Sequence, residues 1–203
     1  MIITDYHLHP QNELFDIIRH TYLAGDKNIL PFQNTNISVQ NVSYRDLVPT
    51  QSFVLNKQLA NIRLIRDQML HHNIDILKLD GFLSYQTSNL DTTFVFTPPI
   101  VEVIDNTPLI IDGQHRTTYA ADNNQTFNAL IIENIDPSVY PYQLPLVGGW
   151  AAIKRFDDEL PKGFVRKQRR YTTPEQNKFF FREYPFPGII KLMRTHSGSN
   201  ERT

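Results

Sequence analysis

Apolar positions along the chain recur with two periods, near two and near 3.6 residues, and the switches between them mark the elements. Ile2 to Pro10 has a strand-like start. Leu14, Ile17, Ile18, Tyr22 and Leu23 then fall at helical spacing between Glu13 and Leu23, with Gly25-Asp26 as the stop. Asn28 to Asn36 is polar and reads as a loop. Ile37 to Val42 alternates apolar and polar, the pattern of a half-buried strand. Tyr44 to Gln51 comes next as turn and loop around Pro49. The strongest helical pattern spans Asn56 to Leu70: Leu59, Ile62, Ile65, Met69 and Leu70 share one face, and Lys57, Arg63, Arg66 and Asp67 lie elsewhere.

His71-His72 closes that helix, and residues 73–92 make a long connection carrying Leu77, Leu79, Phe82, Leu83 and Tyr85. Its pattern fits a small hairpin or a cover over a pocket. Phe94–Phe96 and Pro99–Ile104 read as strands, Asp105 to Pro108 as a turn, and Leu109–Ile111 as the returning antiparallel strand. Beyond it lie a short helix over Thr117–Asp122 and a strand over Phe127–Glu133. Asp136 to Tyr142, with Pro137 and Pro141, is a surface-crossing loop, and Gly148-Gly149 is a turn beside the single Trp150. Pro174 to Tyr184 reads as a helix with Thr173 as N-cap and Pro174 in its first turn. Phe179, Phe180 and Phe181 are expected to pack back on the core, Pro185 to Gly188 to break the helix, and residues 196–203 to be a disordered polar tail.

Composition narrows the picture. The 203 residues are 40% hydrophobic with 13 Phe, enough for one real core. Net charge is −1, so no global bias toward nucleic acid or acidic membrane exists. The chain has no Cys, which excludes a disulfide framework, a thiolate metal site and a cysteine nucleophile. With no N-terminal signal and no run long enough to span a bilayer, the expected location is cytoplasmic, with no membrane partner.

Candidate chemistry concentrates at Asp112-Gly113-Gln114-His115-Arg116-Thr117. A buried strand ending in an Asp-Gly turn before a helix exposes backbone N–H groups to an anion. His115 and Arg116 would aim at the same anion, Arg116 with a fork of donors matched to phosphate. Thr117 or Thr118 could cap the helix or touch a phosphate oxygen. Asp-Gly is also a common hairpin turn, and His-Arg a common solvated pair, so spacing alone leaves both readings open. Asp5, His7 and His9 alternate as metal ligands on one strand face would, but no further His and Asp succeed them in order, and they read as surface polar residues. Lys162, Arg166, Lys167, Arg169 and Arg170, interleaved with Phe164 and Tyr171, form the one basic aromatic patch. It suits DNA, RNA or phosphates, or a solvated face balanced by Asp157, Asp158 and Glu159.

The Asp112–Arg116 string, with Ala120-Ala121 after it, resembles the signature of the ParB/sulfiredoxin-like superfamily, whose members carry Asp-Gly-His-His-Arg, Gly-Glu-Arg-Arg or Gly-Cys-His-Arg at this turn. Val48-Pro49-Thr50-Gln51 resembles the loop that opens the family domain, and Asn56 to Leu70 its first core helix. Pro98 to Val103 resembles the strand before the signature hairpin, and Ala129 to Ile132 the closing strand. The resemblance covers about half the chain, in collinear order. It implies an α+β fold, a small mixed sheet with packed helices, over residues 37–136. Residues 1–36 would be an N-terminal extension and residues 137–203 a C-terminal one.

The resemblance also implies a nucleotide (ATP, ADP or CTP), with Gly113, Gln114, His115, Arg116 and Thr117 on its phosphates and Lys57 nearby at the start of the helix. Asp112 would hold Mg²⁺ or orient an acceptor hydroxyl. Asp112 and His115 are then the catalytic candidates. Sulfiredoxin chemistry is excluded, since Gln114 stands where its cysteine is needed. Free serine kinases of the superfamily use this turn for phosphoryl transfer, with a carboxylate in the preceding loop. Pro49-Thr50-Gln51 has none, and Glu102 or Asp46 would have to substitute. A nucleotide-gated, ParB-like DNA-binding protein, acting as a homodimer, is the second outcome, although residues 137–195 do not read as a helix-turn-helix. A relative of the Asp-Gly-Gln-His-Arg proteins found with DNA sulfur-modification systems is the third. A non-catalytic remnant, with Gly113 and Arg116 kept for turn geometry and a salt bridge, stands against all three.

Overall fold

A computed structural model describes residues 2–88 and 90–186. In chain order its elements are β1 (Ile3–His9), α1 (Gln11–Arg19), β2 (Tyr22–Leu23), β3 (Asn36–Val42), β4 (Phe53–Leu55) and α2 (Asn56–Leu70). Then come β5 (Phe82–Thr87), β6 (Leu90–Phe96), β7 (Ile100–Ile104), β8 (Thr107–Asp112), α3 (Gln114–Asp122) and β9 (Phe127–Glu133). β10 (Lys154–Phe156), α4 (Pro174–Phe179) and β11 (Arg182–Glu183) close the described chain.

The central sheet has the order β3-β9-β7-β8 and is mixed: β7 runs parallel to β9 and antiparallel to β8, and β3 runs antiparallel to β9. The α+β class with a small mixed sheet is therefore what the chain forms. β7 and β8 are joined at Asp105 (φ 48°) and Asn106 (φ 59°), two left-handed residues whose twist suits a two-residue hairpin. That hairpin is what delivers Asp112 and Gly113 to the start of α3. The free edge of β8 is covered by the loop before β4, through Val48 N–H to Pro108 O (2.8 Å) and Ile110 N–H to Val48 O (3.0 Å).

The sheet has an apolar layer on each side. On one, Ile62, Ile65 and Met69 of α2 meet Val101, Ile110, Ala120, Ala129 and Ile131. On the other, Leu14 and Ile18 of α1 meet Ile100, Leu109, Leu130 and Ile132. Residues 1–36 thus contribute α1 to the core. A second, antiparallel sheet, β1-β5-β6, forms from the first strand and the long connection, which adopts the hairpin alternative. Two short pairs, β4 with β10 and β2 with β11, tie the last third of the chain to the first.

Several elements depart from the periodicity. α1 ends at Arg19, because Tyr22 and Leu23 pair with Glu183 and Arg182 instead of continuing the helix. Phe32, inside the polar stretch before β3, is fully buried. Leu70, in the last turn of α2, is exposed, because the chain leaves the core face there. α4 ends at Phe179, where the backbone turns to reach β11. Phe179 is exposed, while Phe180 stacks on Tyr171 (4.0 Å) and Phe181 on Tyr142 (5.5 Å), so the Phe run packs on the C-terminal aromatics. Pro187, Gly188 and the polar tail over 196–203 lie outside the described residues.

Candidate functional site

β8 ends at Asp112 and α3 begins at Gln114, with Gly113 between them at φ 95°. A Cβ at Gly113 would sit 2.8 Å from both Cα and Cβ of Pro99, so the turn accepts only glycine without moving the backbone that precedes β7. Gly113 offers no side chain to cap α3, so the N–H groups of the first turn have no side-chain cap among the described residues.

Each signature residue then has a definite place. Arg116 is almost wholly buried; its Nη2 donates to Asp112 Oδ2 at 2.6 Å, and its guanidinium lies 5.4 Å over the Phe96 ring. Its Nε meets no acceptor among the described residues. Asp112 is half-exposed. Burial works against its carboxylate, but the charge and hydrogen bond of Arg116, with the Lys167 charge and the Gly113 N–H, hold it below its usual range. Gln114 is 5% exposed, and neither atom of its amide has a partner among the described residues.

His115 Nε2 accepts the backbone N–H of Leu55, the residue before α2, at 3.0 Å. Burial, then the Arg116 charge, pushes the imidazole down to about 4, and Asp112 only partly opposes them. At neutral pH the ring is uncharged and its proton sits on Nδ1. His115 therefore fastens the start of α3 to the start of α2 and brings no positive charge to an anion.

Two expected phosphate contacts point elsewhere. Thr117 is buried, and its hydroxyl donates back to Gly113 O (3.2 Å), a bond that is local to the helix. Lys57 is exposed and pairs with Asp158 at 3.7 Å, since Asp157 and Asp158 face the start of α2 and not the basic run. The two carboxylates that could replace the missing loop acid are also committed. Asp46 accepts the Ser43 N–H in a capping box. Glu102 is fully buried in a two-pronged pair with Arg182 (2.9 and 2.8 Å). Arg182 is invisible to periodicity as its partner, because 80 residues separate the two.

As a magnesium site the turn fits poorly. Asp112 is its one carboxylate, already neutralised by Arg116, and among the described residues no three His, Cys, Asp or Glu side chains gather. His7 is exposed and meets His9 edge to face, whereas His9 departs from the surface expectation: its side chain is largely buried, stacks on Phe82 at 4.0 Å and bonds Glu13 and Ser84 (2.9 Å each). A phosphate fits better, because the helix start has no side-chain cap, a buried amide lacks a partner among the described residues, and a Cβ would fill the cradle at Gly113.

The basic run forms an extended strap across the turn. Ser52 N–H donates to Arg166 O (2.9 Å), and Arg170 N–H to Tyr142 O (2.7 Å). Phe164 packs edge-on to Phe53 (6.0 Å), which packs edge-on to His115 (6.2 Å). The strap divides the expected patch. Lys167 turns inward, donating to Gln143 Oε1 at 2.7 Å, and Arg170 lies over the Tyr140 ring at 5.2 Å. Lys162, Arg166 and Arg169 stay exposed, with no ion pair among the described residues. Gln143 and Thr50, both buried, join strap to turn, and nothing in their neighbours along the chain marks them. A separate groove of about 590 Å³ lies between α2 and α3, lined by Leu59, Arg63, Arg66, Tyr119 and Asn123, toward the other end of α3.

Among the described residues no helix is long and apolar enough to cross a membrane. The family model for the ParB CE domain matches residues 13–154. No curated protein and no solved structure matches the chain.

Proposed function

This chain belongs to the ParB CE domain family, and from that premise we propose that it binds a phosphate-bearing ligand, a nucleotide, at the N-terminus of α3. The reading rests above all on Gln114, the first residue of an uncapped helix, whose amide is buried and has no partner among the described residues. A buried amide without partners is costly, and a ligand oxygen or base edge would satisfy it. The first-turn N–H groups add about half a positive charge, and Arg116 Nε is a further donor without an acceptor among the described residues.

Binding is a better reading than phosphoryl transfer. A kinase-like step needs a carboxylate to orient or deprotonate the acceptor. Asp46 caps a turn, Glu102 is locked to Arg182 and Asp112 is held by Arg116. His115, uncharged and bonded to Leu55, positions α3 and is not a catalytic base. Nucleotide-dependent association with DNA or RNA, through the exposed Lys162, Arg166 and Arg169, is compatible with the same site.

The test is a thermal-shift and calorimetry panel of ATP, ADP, CTP and GTP, with and without Mg²⁺, on the wild type and Gln114→Leu. A ligand at a hundred times its Kd should add about 2.7 kcal/mol of stability to the wild type and none to the variant. CTP selectivity would point to a ParB-like switch and ATP selectivity to a kinase-like pocket. If no nucleotide shifts the wild type, the proposal fails.

A further inference from the structure

We propose that Lys167 is the cation of this site, carried in by the strap to meet the phosphate of a nucleotide seated at the N-terminus of α3. The inference rests on the phosphate-binding reading above and adds a residue from beyond the 13–154 match. Charge makes the case. Asp112 and Arg116 neutralise each other at 2.6 Å, and Lys57 is paired with Asp158. The ring of His115 carries no charge at neutral pH. The helix end supplies partial charge alone. A diphosphate or triphosphate needs at least one full cation, and a lysine ammonium serves as such a point charge.

Lys167 has both the position and a spare valence. It is half-buried, and its Nζ donates to Gln143 Oε1 (2.7 Å) and Tyr142 Oη (3.4 Å), two neutral oxygens. An ammonium has three donors, so one is left for a ligand. Gln143 is fully buried and donates to Ile111 O (3.2 Å). Thr50 donates its one hydroxyl proton to Ile110 O (2.7 Å), and the same oxygen lies 3.2 Å from Gln143 Oε1. The ammonium is thus hung, through Gln143, from Ile111 O, the last carbonyl before Asp112. After burial and Arg116, its charge also acts on the Asp112 carboxyl, which places Lys167 within electrostatic reach of the turn. The strap holds it there by the bridge of Lys167 to Gln51 and the bond of Ser52 N–H to Arg166 O. Arg166 and Arg169, its exposed neighbours, are held through their backbones, and their side chains make no such bond among the described residues.

The test titrates the full chain with ATP, CTP and inorganic pyrophosphate, comparing wild type with Lys167→Gln, Lys167→Arg and Lys178→Gln. Lysine acetylation of the wild type, with and without the bound probe, is read by mass spectrometry. Lys167→Gln should weaken binding about tenfold or more, equivalent to about 1.4 kcal/mol, and flatten its salt dependence. Lys167→Arg should keep part of the affinity and Lys178→Gln, at an exposed lysine of α4, all of it. The probe should shield Lys167 from acetylation and leave Lys162 reactive. Should Lys167→Gln fail to fold, the acetylation pattern of the wild type decides. Wild-type affinity in Lys167→Gln, or equal labelling of Lys167 with and without probe, overturns the assignment and leaves the phosphate site standing. If the wild type binds none of the three probes, both readings fall.

Discussion

Gln114 loses its water on folding and receives no partner among the described residues in return. That deficit costs about 1–3 kcal/mol for a neutral polar group. Leucine has a similar volume and no such cost, so Gln114→Leu should raise the stability of the free protein by about 1 kcal/mol or more, read as a higher urea midpoint. A lower midpoint would mean that the amide is already satisfied and has no need of a ligand. His115 responds to pH. Well above pH 6.5 the ring is neutral in both the folded and the unfolded chain, and the residue contributes no pH dependence. Between 6.5 and about 4 the unfolded chain takes up the proton and the folded one does not, so stability declines as pH falls, by about 3 kcal/mol in all. Asp112, held below its usual value, adds a further loss in the more acidic range where its folded form is finally protonated. His115→Leu should cost about 1–3 kcal/mol at pH 8, because Leu55 N–H loses its acceptor. It should also flatten the slope between pH 6.5 and about 4. A variant with the wild-type slope would show that another group titrates there.

Among the elements, β7 and β11 are joined by the Glu102–Arg182 pair, the most deeply buried ion pair among the described residues, with both side chains at 2% exposure or less. Arg182 also donates to Val139 O (2.7 Å) and Phe180 O (3.2 Å). Burial opposes its charge, but Glu102 outweighs that and raises the guanidinium above its ordinary value. Removing one partner strands the other as a buried charge, so Arg182→Met should cost about 3–5 kcal/mol. The double variant Glu102→Met/Arg182→Met should recover much of that loss, since no unpaired charge is left. A urea double-mutant cycle measures both; additive losses would mean that the two side chains do not depend on each other. The pair also shows why parts of this fold were legible in the sequence and parts were not. α2 over Asn56–Leu70 and β9 over Phe127–Glu133 arise from local periodicity, and the Gly113 turn from residues in immediate succession. β2 obeys helical spacing, yet becomes a strand because Arg182 and Glu183 arrive from far along the chain. Long-range pairing of this kind overrides local propensity. At the site, the turn itself was legible, while the inward course of Lys167 depends on Gln143 and Thr50, which no local pattern connects.

For the whole molecule, the question is whether residues 13–154, the stretch matched by the family, can stand without the last third of the chain. β4 gains its parallel partner from β10, which starts at Lys154, and β2 gains its partner from β11. Ser52 gives its N–H to Arg166, and its hydroxyl reaches Val165 O and Arg166 O. Phe164 covers Phe53, which is buried in the complete chain. A chain ended after Lys154 loses every one of these and leaves the Glu102 carboxylate buried without Arg182. Since a domain has only about 5–15 kcal/mol of net stability, the stranded charge together with the uncovered apolar surface should exhaust most of it. The truncated chain is therefore expected to lose its cooperative thermal transition and its near-ultraviolet circular dichroism, while the full chain melts in one step. If the truncated chain instead melts cooperatively with an intact aromatic signal, the last third is an attachment to a self-sufficient fold. The strap would then be free to leave the turn, and Lys167 would be a removable component of the phosphate site.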